Sequence, residues 1–132
     1  MRSSTFDELV EQAFRRIPLR FRKRMQNVAI VIESEPSAEH LASGRVPGGS
    51  TLLGLYQGRP LPVRSSFESF SMPDKITLFQ GPIERAARGT SDVPRVIAET
   101  LWHEIAHYFG MDERQVRAAE RRRARRFHER LR

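Results

Sequence analysis

Trp102-His103-Glu104-Ile105-Ala106-His107-Tyr108-Phe109-Gly110-Met111-Asp112-Glu113 contains the pattern His-Glu-x-x-His. Residues four apart on a helix lie one turn from each other, so His103 and His107 can aim their imidazoles at one metal ion. Glu104 between them is then placed to act as a base. A second pattern supports the helix: at about 100° per residue, Val93, Ile97, Leu101, Ile105 and Tyr108 gather on one side. The histidines point away from that stripe, beside Val96, Glu99 and Thr100. The segment thus predicts one helix with a core face and a separate histidine face, started by Ser91 or Asp92 with the early Pro94.

A catalytic zinc site takes three protein ligands and keeps its fourth position for water, so the histidine pair needs a third partner. Gly110 supplies a means of finding it, because glycine at a helix C-terminus adopts the left-handed conformation and turns the chain back. Asp112 and Glu113 follow at once, and both are candidates. Asp112, with Gln115 three residues later, is wanted as the cap of a final helix through Val116, Ala119, Arg123 and Phe127. That leaves Glu113 favoured as the ligand. Glu99 or Thr100 is positioned to take the second ring N–H of a histidine, and Glu99 suits a structural role equally well.

Working outward, the 132 residues predict a single domain over residues 1–132. With no cysteine, any zinc is held by His, Asp or Glu, which excludes finger and ribbon sites. Acids at Asp7 and Glu8 interrupt the place where a signal peptide needs an apolar stretch, and no apolar run is long enough for a membrane span. The cytoplasm is therefore the expected location. The net charge is +7, and nine arginines fall between Arg114 and Arg132 against Glu120 and Glu129. Such a tail is either a solvated helix face or a contact for an acidic partner, a nucleic acid or an anionic membrane.

Along the chain, Thr5 and Glu8 form a capping-box pair ahead of Phe6, Leu9, Val10, Ala13, Phe14 and Ile17, which predicts a first helix over about Phe6 to Ile17. Pro18 ends it, and a short helical turn follows within Leu19 to Met25. Asn27 to Glu33 is an apolar, β-branched run and reads as a central strand. Ser37 to Ser50, with four Gly and Pro residues, reads as a loop. Thr51 to Gly58 is a second strand in which Gly54 marks a bulge or the close approach of another backbone. Val63 to Asp74, with Phe67, Phe70 and Met72, has the composition either of a flap over a cleft or of a loop packed on the surface. Lys75 to Gly81 alternates as a third strand with two differently used faces, and Gly81-Pro82 opens a short helix to Ala87.

The run His103-Glu104-x-x-His107-x-x-Gly110-x-x-Glu113 resembles the extended zinc-binding sequence of the metzincin metallopeptidases, with Glu113 where those carry His or Asp. No methionine follows Glu113, so the Met-containing turn of that group is absent. The chain is more similar to a small bacterial family of zincin-like metallopeptidases. That resemblance is carried by Leu53-Gly54-Leu55-Tyr56-Gln57-Gly58 with Pro60, by Ile76-Thr77-Leu78-Phe79-Gln80-Gly81-Pro82, and by His103-Glu104-Ile105-Ala106-His107 with Phe109-Gly110 and the acids after it. Tyr108 stands where many relatives are expected to have another histidine. The resemblance implies an α+β minimal zincin-like fold: a small three- to four-stranded mixed sheet packed on the motif helix, with N-terminal and C-terminal helices.

It further implies a zinc-dependent peptidase with His103, His107 and Glu113 on the metal, Glu104 as general base, and a peptide or protein as substrate. In the broader zincins an edge strand binds the peptide in extended form, which puts Leu52 to Tyr56 or Ile76 to Gln80 in that role. The rival reading is a basic nucleic-acid- or partner-binding module with an inactive or structural metal site, supported by the arginine-rich end.

Overall fold

A computed structural model of the chain describes residues 3–25, 27–44, 51–58, 74–110 and 121. The elements in order are α1 (Ser3–Arg15), α2 (Leu19–Arg22), β1 (Val28–Glu33), α3 (Ala38–Ser43), β2 (Gly54–Gln57), β3 (Asp74–Phe79), α4 (Gln80–Ala86), a 3-10 turn (Thr90–Asp92) and α5 (Val93–Tyr108). This is an α+β architecture, with a three-stranded mixed sheet over the motif helix. The expected final helix lies outside the described residues, apart from helical, exposed Arg121.

α1 exists because Phe6, Val10, Ala13 and Ile17 recur at helical spacing, and all four are buried. The helix begins at Ser3, earlier than its apolar pattern, so Thr5 lies inside its first turn instead of capping it. First-turn amides have no intrahelical acceptor, and Ser and Thr are tolerated there. α1 lies against α5, and together they cover one face of the sheet through Ile76, Leu78, Val28, Ile30 and Ile32.

The strands run in the order β1-β3-β2. β1 pairs with β3 in parallel, from Val28 opposite Asp74 to Glu33 opposite Phe79. β2 pairs antiparallel on the other side, from Gly54 opposite Leu78 to Gln57 opposite Lys75. Among the described residues the central strand is therefore β3, and the apolar run of β1 sits at an edge, contrary to expectation. A β-branched run reports how well the faces of a strand are covered; it is silent on how many neighbours the strand pairs with. The alternation of β3 likewise misleads, since Ile76, Thr77, Leu78 and Phe79 are all fully buried and both its faces are covered.

Ser37 to Ser50 is not all loop. Ser37 caps α3 by accepting a hydrogen bond from the His40 amide at 3.1 Å, while the His40 Nδ1 accepts one from the Ser37 amide at 3.0 Å. This is a capping box with histidine in the place usually taken by Glu or Gln. The His40 ring then meets Phe79 edge-on, with centroids 5.0 Å apart.

α5 is the hub, touching α1, α4, β2 and β3. The stripe Val93, Ile97, Leu101, Ile105 and Tyr108 is buried as its periodicity predicts. At its start, Asp92 occupies the cap position without capping. Its carboxylate instead accepts from the Arg88 amide and from Arg95, at 2.8 and 2.7 Å. The Arg95 guanidinium, then the Arg88 amide, holds the Asp92 carboxyl well below the usual carboxylate range, and Asp92 in turn raises Arg95. No described helix is long and apolar enough to cross a membrane.

Candidate metal centre

His103, Glu104 and His107 project from the last two turns of α5, and their ligand atoms all lie within 4.8 Å of one another. The two imidazoles meet edge-on with ring centroids 4.7 Å apart. Both histidines are half-buried, whereas Glu104 is buried. Among the described residues this is the one group of three or more such side chains close enough to hold an ion.

The neighbouring strand explains why a carboxylate can be buried here. The backbone N–H of Tyr56 in β2 donates to Glu104 Oε1 at 2.9 Å, and His107 Nδ1 lies 3.4 Å from the same oxygen. A charge-assisted bond from an amide offsets part of the cost of taking a carboxylate out of water. The ladder dictates which amides of β2 are available for this. Phe79 donates to the Leu53 carbonyl, so the antiparallel alternation turns Leu55 and Gln57 toward β3 and turns Gly54 and Tyr56 away from it. One of these outward groups, the Tyr56 N–H, is the one that meets the motif helix.

Gly54 makes that approach feasible. A methyl group there would come within 2.8 Å of Thr100 Cγ2 and 3.1 Å of Glu104 Cγ, so β2 can lie this close to α5 only where a side chain is missing. The expected close approach is thus real, though it is helix side chains that meet the glycine. Behind the strand, the Tyr56 hydroxyl donates to Asp74 Oδ2 at 2.8 Å, and its ring meets Tyr108 edge-on at 6.0 Å. Tyr108 is buried, and its hydroxyl donates to the Arg24 carbonyl at 3.1 Å.

The cleft over these groups has a volume of about 310 Å³ and is lined by Ser43 and Gly44 at the end of α3, by Gly54 and Tyr56, and by His103, Glu104 and His107. A larger hollow of about 410 Å³ beside Asp7, Glu33 and Gln80 has no imidazole on its walls. The candidate metal-binding side chains line the smaller cleft. Two ligands of a single zinc ion, each at about 2.1 Å, stand at most about 4 Å apart. The observed spread is close enough for small side-chain rotations to meet that limit. Two imidazoles and a nearby carboxylate, without thiolate, also suit the donor chemistry of a hydrolytic zinc site.

Not every expected member is in place. The Thr100 hydroxyl donates to the Val96 carbonyl at 2.7 Å, and its methyl faces Gly54. Glu99 is exposed and paired with Arg95 at 3.0 Å. Val96 and Thr100, expected beside the histidines, are buried, Val96 in the core cluster and Thr100 with Glu104 against Gly54 of β2. Gly110 has φ of 82°, the left-handed turn expected at the end of the helix, with its amide bonded to the His107 carbonyl at 2.9 Å. Glu113 and Asp112 lie outside the described residues, as do residues 63–73 of the expected flap, whose last residue, Asp74, begins β3. Sequence reasoning missed the Tyr56 amide and the α3 end. The only signal for the latter is Ser37-x-x-His40.

A mixed sheet lying over a helix that carries His-Glu-x-x-His defines the zincin class. Residues 25–123 match the family model described as zincin-like metallopeptidase, and the chain belongs to that family. Among solved structures, a conserved hypothetical protein from Thermo thermophilus is similar, with a TM-score of 0.55 and 26% sequence identity over 83% of this chain and 94% of that one. No curated protein matches the chain.

Proposed function

We propose that the chain is a zinc-dependent peptidase in which His103, His107 and Glu113 hold the metal and Glu104 is the general base. The observation that carries this reading is the convergence of two imidazoles and a buried carboxylate in one cleft beside the outward groups of β2. Family membership supports the reaction class, metal-dependent hydrolysis of a peptide. When bound, zinc supplies Lewis-acid polarisation of the scissile carbonyl and makes water acidic enough to be a nucleophile near neutral pH.

The chain's own residues do the rest. Tyr56 N–H occupies Glu104 Oε1 and fixes the carboxylate, leaving Oε2 to accept the proton of the attacking water. Glu104 then passes that proton to the leaving amine as the C–N bond breaks. His107 has Nδ1 turned toward Glu104, so its Nε2 is the ligand atom on this reading. The peptide lies along β2, where the N–H and C=O of Gly54 and the C=O of Tyr56 point away from β3. β3 cannot serve this purpose, because both its edges are already paired.

Metal content and cleavage of a quenched-fluorescent peptide library test the roles together. The expected result is stoichiometric zinc in the wild type and in Glu104→Gln, zinc lost in His103→Ala, and cleavage reduced by about 10²- to 10⁴-fold in Glu104→Gln. Glu113→Ala is expected to weaken zinc binding greatly, and Asp112→Ala to leave it nearly unchanged. Unaltered zinc in His103→Ala would remove the site. Zinc-loaded protein that cleaves no member of the library would leave a metal-binding module in place of a peptidase.

A further inference from the structure

The corner formed by the end of α1 and by α2 has no part in the metal centre, and its charge is unusual. Residues 15–24 contain six cations, Arg15, Arg16, Arg20, Arg22, Lys23 and Arg24, and no acid. Three of these are engaged within the fold: Arg15 pairs with Glu11 at 2.6 Å, Arg22 Nε donates to the Ile17 carbonyl at 2.8 Å, and the Arg20 guanidinium lies over the Phe21 ring at 4.9 Å while its charge keeps no carboxylate partner. Arg16, Arg20, Lys23 and Arg24 are exposed, and none of them has a carboxylate partner among the described residues. Because α2 continues its helical turn through Lys23 and Arg24, positions 20, 23 and 24 share one face.

The element that carries this face is packed on the motif helix. Phe21 turns inward, edge-on to Trp102 and Phe109 with centroids at 5.4 and 5.6 Å, and the Arg24 carbonyl accepts the Tyr108 hydroxyl. Gly110, two residues beyond Tyr108, lies at this same end of α5, and the sequence after it carries nine more arginines from Arg114 to Arg132. Repelling cations without carboxylate partners destabilise the fold slightly, so they suit a surface neutralised by a partner.

We propose that this corner docks the phosphate backbone of a nucleic acid without reading its sequence. Three features select that partner. All but one of the six cations are arginines, whose planar fork matches phosphate oxygens in pairs. A membrane surface requires an apolar face to insert, yet Phe21 faces the core and Leu19 alone is an exposed large apolar residue among those described. A protein partner binds through a cluster of aromatic and apolar anchors at the centre of a patch, and this corner presents charge around a single exposed apolar side chain, Leu19. The proposal does not depend on the metal centre being active.

The probe is a fluorescein-labelled single-stranded DNA of mixed sequence, about 20 nucleotides long, titrated with the full chain across a range of salt. Binding with Kd on the order of 10⁻⁵ M, weakening steeply as salt rises, is expected. Combined Arg20→Gln, Lys23→Gln and Arg24→Gln substitutions are expected to weaken binding at least about tenfold and to make the slope of log K against log salt shallower by about 2, for three lost phosphate contacts. Thermal melts should lie close to the wild type, since all three side chains are exposed and only Arg20, over the Phe21 ring, loses a contact within the fold. Unchanged affinity and slope in the triple variant would overturn the proposal. Equal competition by polyglutamate at matched charge would overturn it too, and would make an acidic protein the partner.

Discussion

β1 and β2 flank the same central strand and have opposite characters. β1 is six residues long, pairs in parallel, and contributes Val28, Ile30 and Ile32 to the core. Just beyond it, Glu35 forms a two-bond pair with Arg85 of α4 at 2.9 and 2.7 Å, but both side chains are more than half exposed, so the pair adds little. β2 has four residues, one of them glycine, and its outward backbone meets a buried carboxylate on the motif helix. One edge of the sheet is bound by apolar packing and the other by a polar contact with the site. The difference teaches that an edge strand gains a chemical role from what the helix beneath it presents; its own hydrophobicity does not decide the matter.

That contrast can be broken most severely at Gly54. A Gly54→Ala substitution drives a methyl into Thr100 and Glu104, and is expected to destabilise the fold by about 1–3 kcal/mol while also depressing activity in the fraction that remains folded. Denaturant melts alongside peptide cleavage measure both effects. Adding Thr100→Ser, which removes the obstructing methyl and keeps the hydroxyl bonded to Val96, should recover part of each loss. No recovery would show that β2 is not held against α5 through that contact.

The matching change on β1 should separate stability from chemistry. Ile30→Ala removes a partly buried side chain packed on the core and is expected to cost roughly 1–2 kcal/mol, the lower part of the range for apolar truncations. Zinc content and the cleavage rate per folded molecule should stay at wild-type values. A fall in the rate equal to that of Gly54→Ala would erase the distinction between the two edges.

The smallest effect belongs to the start of α5. Because Arg95 and the Arg88 amide hold the Asp92 carboxyl below its ordinary range, this contact stabilises the fold fully above the unfolded pKa of about 3.9 and is lost as pH falls through the lower folded value. Wild-type and Asp92→Asn melting temperatures should therefore differ slightly at neutral pH and converge in strong acid. A gap that widens with acidification would reverse the assigned sign.

The motif helix is the most legible part of the chain. His103, Glu104 and His107 share a face because their spacing requires it, and Val93, Ile97, Leu101, Ile105 and Tyr108 are buried because a 3.6-residue period leaves them no alternative. Strand order is not legible: the apolar run of β1 looks central, whereas the true centre, β3, contains Asp74, Lys75 and Thr77. Pairing is a tertiary choice that local composition does not encode. α3 is hidden because its capping partner is His40 and because the glycines and prolines after Gly44 dominate that stretch. The hold on Glu104 is hidden for a deeper reason: it comes from the Tyr56 backbone amide, and every residue except proline has one.

The burial of α5 has a thermodynamic consequence for metal loading. Nine of its residues are buried, and each turn that bears a histidine also bears a core side chain. The loss of chain entropy needed to bring His103 and His107 together is therefore incurred when the core forms, before any ion arrives. A zinc finger inverts this order, since its ligands are gathered by the metal and the apo chain is unfolded. On the proposed reading the ion is a guest of a finished scaffold, so a chelator should empty the centre and leave the fold standing.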